Sequence, residues 1–319
     1  MIATRKDTPG TSRDVTRRYR VIYNPKAGTK GGVAIGSGTV EGVRAAMAAH
    51  GLGDDLVVTS SETEAQSACR AAIADGVDVV VAAGGDGTTG LVAGELLGAT
   101  AALGILPLGS VMNIARSLDI PRDLDEAAQI LSTGRIVQID VGETAGRPFY
   151  EAGSVGLNAA IFREAANFDD ADWFSIVRCV WVAIRYRPAR MVVQLDDRLV
   201  RTRALMVTIS NGQFLGAGMT VAPDARLDDG KFDVRVFRGF SKWELIRHLA
   251  SIAFGRRRYA PHVSTFRSTV VRVTSVHPLP ARADHRDLGS TPVEFRTRPR
   301  ALRVVVGPAA PGPAPATTT

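Results

Sequence analysis

The stretch Ala82-Ala83-Gly84-Gly85-Asp86-Gly87-Thr88-Thr89-Gly90 decides how this chain is read. It follows an apolar run over residues 77–81, which reads as a buried strand, and precedes residues 91–97, which read as a short helix. A strand, a glycine turn and a helix start make a phosphate cradle. Glycine lets the backbone approach an anion, and the exposed N–H groups of a helix start favour negative charge. Asp86 stands inside that turn, where a lone carboxylate would repel phosphate. A metal ion, a hydroxyl or a ligand amine is therefore expected to balance it. The spacing is neither that of a P-loop, which ends in Lys followed by Ser or Thr, nor G-x-G-x-x-G.

The flanking sequence repeats the alternation. Residues 20–23 read as a strand leading into the turn Asn24-Pro25-Lys26-Ala27-Gly28, and residues 40–50 as a helix. A strand over 56–59 ends at Thr59, a helix covers 62–75, a strand over 102–106 ends at Pro107-Leu108-Gly109-Ser110, and a helix covers 124–133. Strands alternating with helices predict a parallel sheet, with ligands beyond the carboxyl ends of its strands. Three loops fall there: residues 24–28, 84–89 and 107–113. Residues 96–115 carry no charge, but Gly98, Gly104, Pro107 and Gly109 interrupt them, so they read as helix end, strand and loop and not as a membrane span.

From residue 136 the character changes. Strands are predicted over 136–141, 147–152, 191–195, 199–210, 219–222, 232–237, 270–276, 293–296 and 302–306, with helices over 173–186 and 242–254. The expected architecture is an α/β nucleotide-binding domain over 19–135 and a mainly β, sandwich-like substrate domain over 136–307. A basic tail over 1–18 and a Pro/Ala/Thr-rich tail over 308–319 are expected to be disordered.

A chain of 319 residues with 45% hydrophobic and 22% charged residues has the make-up of a soluble protein with room for two cores. Its two cysteines, Cys69 and Cys179, are too few for a disulfide framework or a zinc site and read as apolar fillers in a reducing compartment. The N-terminus is polar and basic without an apolar leader, which places the expected location in the cytoplasm. A net charge of +7 favours anionic partners. Nucleic acid is disfavoured because no helix-turn-helix, zinc or aromatic RNA-reading motif is present. Late arginines, among them Arg256-Arg257-Arg258, suit weak peripheral attachment to the anionic inner face of a membrane. The two helices over 173–186 and 242–254 carry apolar stripes (Trp173, Trp181; Trp243, Leu249) that fit either packing on the sandwich or a lipid-facing lip.

Several motifs in order make a resemblance. They are Asn24-Pro25 with Gly28, then Thr59, then Gly84-Gly85-Asp86-Gly87-Thr88, then Pro107-Leu108-Gly109-Ser110 with Ala115-Arg116. Asn211-Gly212 follows, then Ala222-Pro223-Asp224-Ala225 and Asp228-Asp229-Gly230-Lys231-Phe232-Asp233-Val234. The series, over residues 19–307, resembles the diacylglycerol kinase catalytic-domain family, which includes bacterial diacylglycerol kinases and sphingosine kinases. The glycine element by itself is less specific, since NAD kinases and phosphofructo-type kinases carry a similar one. The resemblance implies an ATP-dependent lipid kinase. ATP phosphates would lie on residues 84–88 with Asn24, Thr59 and Ser110 helping, a lipid hydroxyl would attack the γ-phosphorus, and Mg²⁺ bridging the phosphates would account for Asp86. It also implies a structural metal held by the Asp229 carboxylate and the carbonyls of Arg226 and Lys231. Without the resemblance, Asp228-Asp229-Gly230 reads as a hairpin turn.

The chain departs from the family pattern in three stretches. Thr89-Gly90-Leu91 stands where x-Asn-Glu is usual. Gly109-Ser110-Val111-Met112-Asn113 stands for Gly-Thr-x-Asn-Asp, so Met112 and Asn113 replace an amide and a carboxylate, a candidate metal ligand or proton acceptor. Near the C-terminus Asp284-His285-Arg286 stands for Asp-Gly-Glu, which puts Arg286 in place of the glutamate that would act as general base. Arginine stays protonated at neutral pH. Asp284, His285 and Asp287 are the candidates to substitute. Two readings stay open: an active, diverged lipid kinase using one of those three, or a nucleotide binder with little transfer activity.

Overall fold

The computed structural model describes residues 17–25, 29–30, 33–34, 38–165, 178, 181–182, 185–216, 218–238 and 263–307. The helix expected over 242–254, most of that over 173–186, Cys179 and nearly all of both tails lie outside the described residues.

Four strands, Leu56–Val58, Tyr19–Tyr23, Val79–Gly84 and Ala102–Pro107, lie side by side in that order and run parallel. Every residue of the last two is buried. Such strands are covered on both faces, which is why they read as unbroken apolar runs. Two helix pairs cover the sheet: Glu62–Ala74 with Asp86–Glu95, and Val40–Ala49 with Leu124–Thr133. Asp123 starts Leu124–Thr133 by accepting the N–H groups of Asp125 and Glu126 at 3.0 Å.

The sheet differs from expectation at its most informative strand. The strand runs to Gly84 rather than ending at 81, and the helix begins at Asp86 rather than 91. A Cβ on Gly84 would lie 2.6 Å from Thr88 Cβ. The first helical turn therefore folds directly back over the strand end, a path that only glycine leaves open.

The second half is mainly β, as expected, and its strands pair antiparallel. Its strands run in the order Arg286–Ser290, Pro280–Ala283, Ala152–Gly156, Leu199–Ser210, Ala189–Gln194, Val270–Ser275, Val293–Val306. Phe232–Arg238 pairs with both Leu199–Ser210 and Val263–Ser268. Phe149 stacks on Phe232 at 5.6 Å and meets Phe295 edge-on at 5.8 Å, which fixes the centre of this core. The stretch 147–152, expected as one strand, is two: Arg147–Phe149 and Ala152–Gly156. The chain breaks at Tyr150 and Glu151 because their N–H groups donate to the Asp284 carboxylate and not to a neighbouring strand.

One strand ties the halves together. Residues 293–296 and 302–306, read separately in the sequence, belong to the single strand Val293–Val306. Its first part pairs antiparallel with Val270–Ser275, and its end lies parallel to Ala102–Pro107 through Val304 and Leu103. Arg135–Thr144 pairs along it, so Ile139, Val141, Leu302, Val304, Val305 and Val306 pack in the core of the α/β half.

Candidate active site

Because the first four strands are parallel, the turns after Tyr23, Val58, Gly84 and Pro107 open at one edge of the sheet. Asn24 Nδ2 donates to Thr88 Oγ1 at 3.1 Å. Buried Thr59 donates its N–H and its hydroxyl to the Tyr23 carbonyl. Leu108 N–H donates to the Gly84 carbonyl at 3.0 Å. Ser110, exposed, follows Gly109, whose Cβ, if present, would stand 2.7 Å from Gly85 Cα. Asn24, Thr59, Gly84, Gly85, Asp86, Gly87, Thr88 and Ser110 are thus gathered at one edge, around the N-terminus of Asp86–Glu95. That end presents unpaired N–H groups and the positive pole of the helix.

Asp86 is held by the chain itself. Its Oδ2 accepts Met112 N–H at 2.8 Å and its Oδ1 accepts Ile114 N–H at 3.4 Å. Backbone donors at Met112 and Ile114 thus meet both oxygens of this carboxylate within the protein. Burial, opposed by those donors, leaves its pKa above the ordinary carboxylate value. Met112 is fully buried and left-handed, with φ 58° and ψ 49°. Asparagine tolerates that conformation better than methionine, which gives a conformational reason for the amide usual at this position.

The loop leads to a corner where both halves meet. Asn113, 2% exposed, donates from Nδ2 to Glu151 Oε2 at 2.7 Å and to the Gly216 carbonyl at 2.8 Å. Asn113 Oδ1 is buried and has no hydrogen-bond partner among the described residues. Glu151 is pinned at each backbone group: its carbonyl accepts from Asn211 and Gly212 N–H at 2.9 Å, and its own N–H donates to Asp284 Oδ1 at 2.9 Å. Burial, with Asp284 and then Asp86 nearby, pushes the Glu151 carboxyl up to about 8. Arg282 lies close, 7% exposed with its guanidinium over the Phe162 ring; burial lowers its pKa to about 10.

The three residues offered as substitute bases fare differently. Asp284 accepts Tyr150 N–H at 2.8 Å, Glu151 N–H at 2.9 Å and Ala152 N–H at 3.3 Å, and burial raises its pKa. It is a clamp on the strand break. Asp287 is exposed and forms a bidentate pair with Arg163 at 2.8 and 2.7 Å, whose hydrogen bonds lower its pKa. A carboxylate so stabilised is a weak proton acceptor. His285 is exposed at the turn between Pro280–Ala283 and Arg286–Ser290. Arg286 donates to the Pro148 carbonyl and stands beside Asp284.

The acidic loop is not a hairpin, since Phe232–Arg238 pairs with distant strands. Asp229 Oδ1 accepts Lys231 N–H at 3.0 Å and its Oδ2 lies 3.7 Å from Arg267, while Arg226 pairs bidentately with Asp228. Among the described residues no three His, Cys, Asp or Glu converge on a metal. Arginines thus stand beside both aspartates of this loop.

Sequence reasoning missed Glu151. Its one signal is a carboxylate inside the apolar run Phe149-Tyr150-Glu151-Ala152, where a buried strand should carry none.

Residues 18–144 match the diacylglycerol kinase catalytic domain family, and residues 154–306 match the family described as the YegS C-terminal NAD kinase beta sandwich-like domain. A relative in Klebsiella pneumoniae (strain 342), named "Probable lipid kinase YegS-like", is 30% identical over 241 residues, 74% of this chain and 80% of that protein. The diacylglycerol kinase of Bacillus subtilis (strain 168) is 25% identical over 296 residues, 91% of this chain and 96% of that one. A crystal structure of a diacylglycerol kinase from Bacillus anthracis shares the fold, with a TM-score of 0.69 at 17% identity over 92% of this chain and 98% of that one. Both halves of the fold are thus accounted for by known relatives, and this chain belongs to the diacylglycerol kinase catalytic-domain family of lipid kinases.

Proposed function

We propose that the protein transfers the γ-phosphate of ATP to the hydroxyl of a membrane lipid, of the diacylglycerol or sphingoid type. The observation that carries this reading is the gathering of residues 84–88, Asn24 and Ser110 at the N-terminus of Asp86–Glu95. Backbone N–H groups there would bind the phosphates, and Asn24, held to Thr88, would fix the rim. Transfer of a phosphoryl group needs positioning and charge neutralisation more than covalent chemistry. Asp86 would act by holding the loop over 107–113 against the cradle. Both its oxygens already accept backbone N–H, so the residues fit Mg²⁺ as an ion carried chiefly by the nucleotide phosphates and water. When bound, that ion would neutralise charge on the transferring group.

The lipid would be met at a membrane surface. No helix among the described residues is long and apolar enough to cross one. The charge of +7 supports peripheral contact with an anionic leaflet in the cytoplasm.

The test is ATP consumption across a panel of diacylglycerol, sphingoid base and ceramide, with Mg²⁺ varied, together with transfer of labelled γ-phosphate to lipid. Label appearing in one lipid class is the expected result. ATP binding without transfer to any lipid would favour the nucleotide-binder reading that Arg286 suggests. Label on NAD would favour an NAD-kinase-like enzyme.

A further inference from the structure

We propose that Glu151 takes the proton from the lipid hydroxyl, supplying from a break between two strands the carboxylate that Asn113 lacks and Arg286 cannot provide. The proposal rests on the kinase reading above. Three observations converge on it.

The first is position. Glu151 is hydrogen-bonded to Asn113, at the very position where the family pattern has a carboxylate, three residues beyond Ser110. The loop carrying Asn113 is bonded through Met112 and Ile114 to Asp86 in the first turn of the cradle helix. Glu151 is therefore linked through the loop carrying Asn113 to Asp86 at the start of the cradle helix.

The second is preorganisation. Backbone bonds to Asp284, Asn211 and Gly212 fix its main chain, and Asn113 fixes Oε2. Orientation of this kind is what general-base catalysis requires. Asn113 donates to Oε2, so the opposite carboxylate oxygen is the one suited to take a proton.

The third is an unpaired polar atom beside it. Asn113 Oδ1 is a buried acceptor without a hydrogen-bond partner among the described residues, immediately beside Glu151. A buried acceptor in that state calls for a partner, such as a water or a ligand hydroxyl.

In the step, the O–H bond of the lipid breaks and its proton passes to Glu151. The oxygen electron pair forms the new bond to the γ-phosphorus. The bond from that phosphorus to the β–γ bridging oxygen breaks, and its electrons leave on ADP. Glu151 then returns the proton to solvent.

The groups facing Glu151 are Asp284 and Arg282 from Pro280–Ala283 and its turn, Asp86 from the cradle helix, and Asn113. Buried among two carboxylates and one arginine, it keeps its proton through neutral pH. Turnover should therefore rise with pH and level off above about 8, as more of the enzyme holds the ionised base.

Glu151→Gln in the full chain, assayed with the lipid class that the parent phosphorylates, should lower kcat by about 10²–10⁴-fold and abolish the rising limb of the pH profile. Affinity for ADP, measured by calorimetry, should stay within about threefold of the parent. Difference infrared spectra should show a protonated carboxyl band at about pH 6 that the variant lacks. Glu151→Asp should recover part of the lost turnover. A Gln variant with parental turnover, in an enzyme that does phosphorylate lipid, overturns this assignment and leaves the kinase reading intact. ADP binding lost along with turnover also overturns it, since Glu151 would then be holding the loop. A parent that phosphorylates no lipid overturns the kinase reading and this assignment together.

Discussion

The phosphate edge and the corner around Glu151 are built in opposite ways. At the phosphate edge the groups that would bind are main-chain N–H groups, and side chains matter by being small or by holding loops. Gly84 admits Thr88, Gly109 touches Gly85, and Asp86 ties two loops together. At the corner the chemistry lies in side chains from segments far apart: Asn113, Glu151, Asp284 and Arg282. A cradle made of backbone tolerates little change within one short stretch. A corner made of side chains can shift its carboxylate from one segment to another and keep it at the same place.

Substitutions can break that contrast. The largest effect is expected for Asp86→Ala. It removes the acceptor of two N–H groups and frees the loop over 107–113, and ATP-dependent phosphorylation of lipid should fall to background, read by transfer of label. Activity equal to that of the parent would mean that the cradle holds without its tie. Asp284→Ala should come next. Three backbone donors lose their acceptor. Unfolding in urea should show a loss of about 2–3 kcal/mol, and turnover should fall more than affinity for ATP.

The contrast also explains what could be read in advance. The parallel sheet, the cradle and its loops were legible because each is encoded within a few neighbouring residues: an apolar run, a glycine turn, a helix start. The antiparallel half was legible as a class of fold. One reading differs from the structure for a physical reason, and one carboxylate escaped notice. Residues 147–152 have strand composition throughout, yet the pull of Asp284, 134 residues distant from Tyr150, breaks them. The Asp284-His285-Arg286 stretch drew attention to itself as the place for a base, while the carboxylate that meets Asn113 is not near it in sequence. Neither long-range bond leaves a local pattern.

Two smaller effects sharpen the comparison. Gly109→Ala puts a Cβ 2.7 Å from Gly85 Cα and 2.8 Å from Met112 Sδ. Forcing the loops apart should cost about 1–3 kcal/mol and weaken ATP binding while leaving the pH profile unchanged, measured by calorimetry and by initial rates. Asp287→Asn should do least. Its pairing with Arg163 is at the surface, with side chains 53% and 41% exposed, so stability should change by no more than about 1 kcal/mol and turnover should be near parental. A large loss of turnover there would move the base to Asp287 and away from Glu151.

The strand Val293–Val306 gives the protein a direction in time. Its end covers Ala102–Pro107, and Val304, Val305 and Val306 belong to the core that surrounds the phosphate edge. During synthesis the four parallel strands emerge first, yet one flank of their sheet stays open until nearly the last described residues leave the ribosome. The parallel half, translated first, is therefore completed last. An open apolar strand is an aggregation hazard while it waits. Nascent chains stalled before residue 302 should be held by chaperones, and the ability to bind ATP should arrive only with the closing strand.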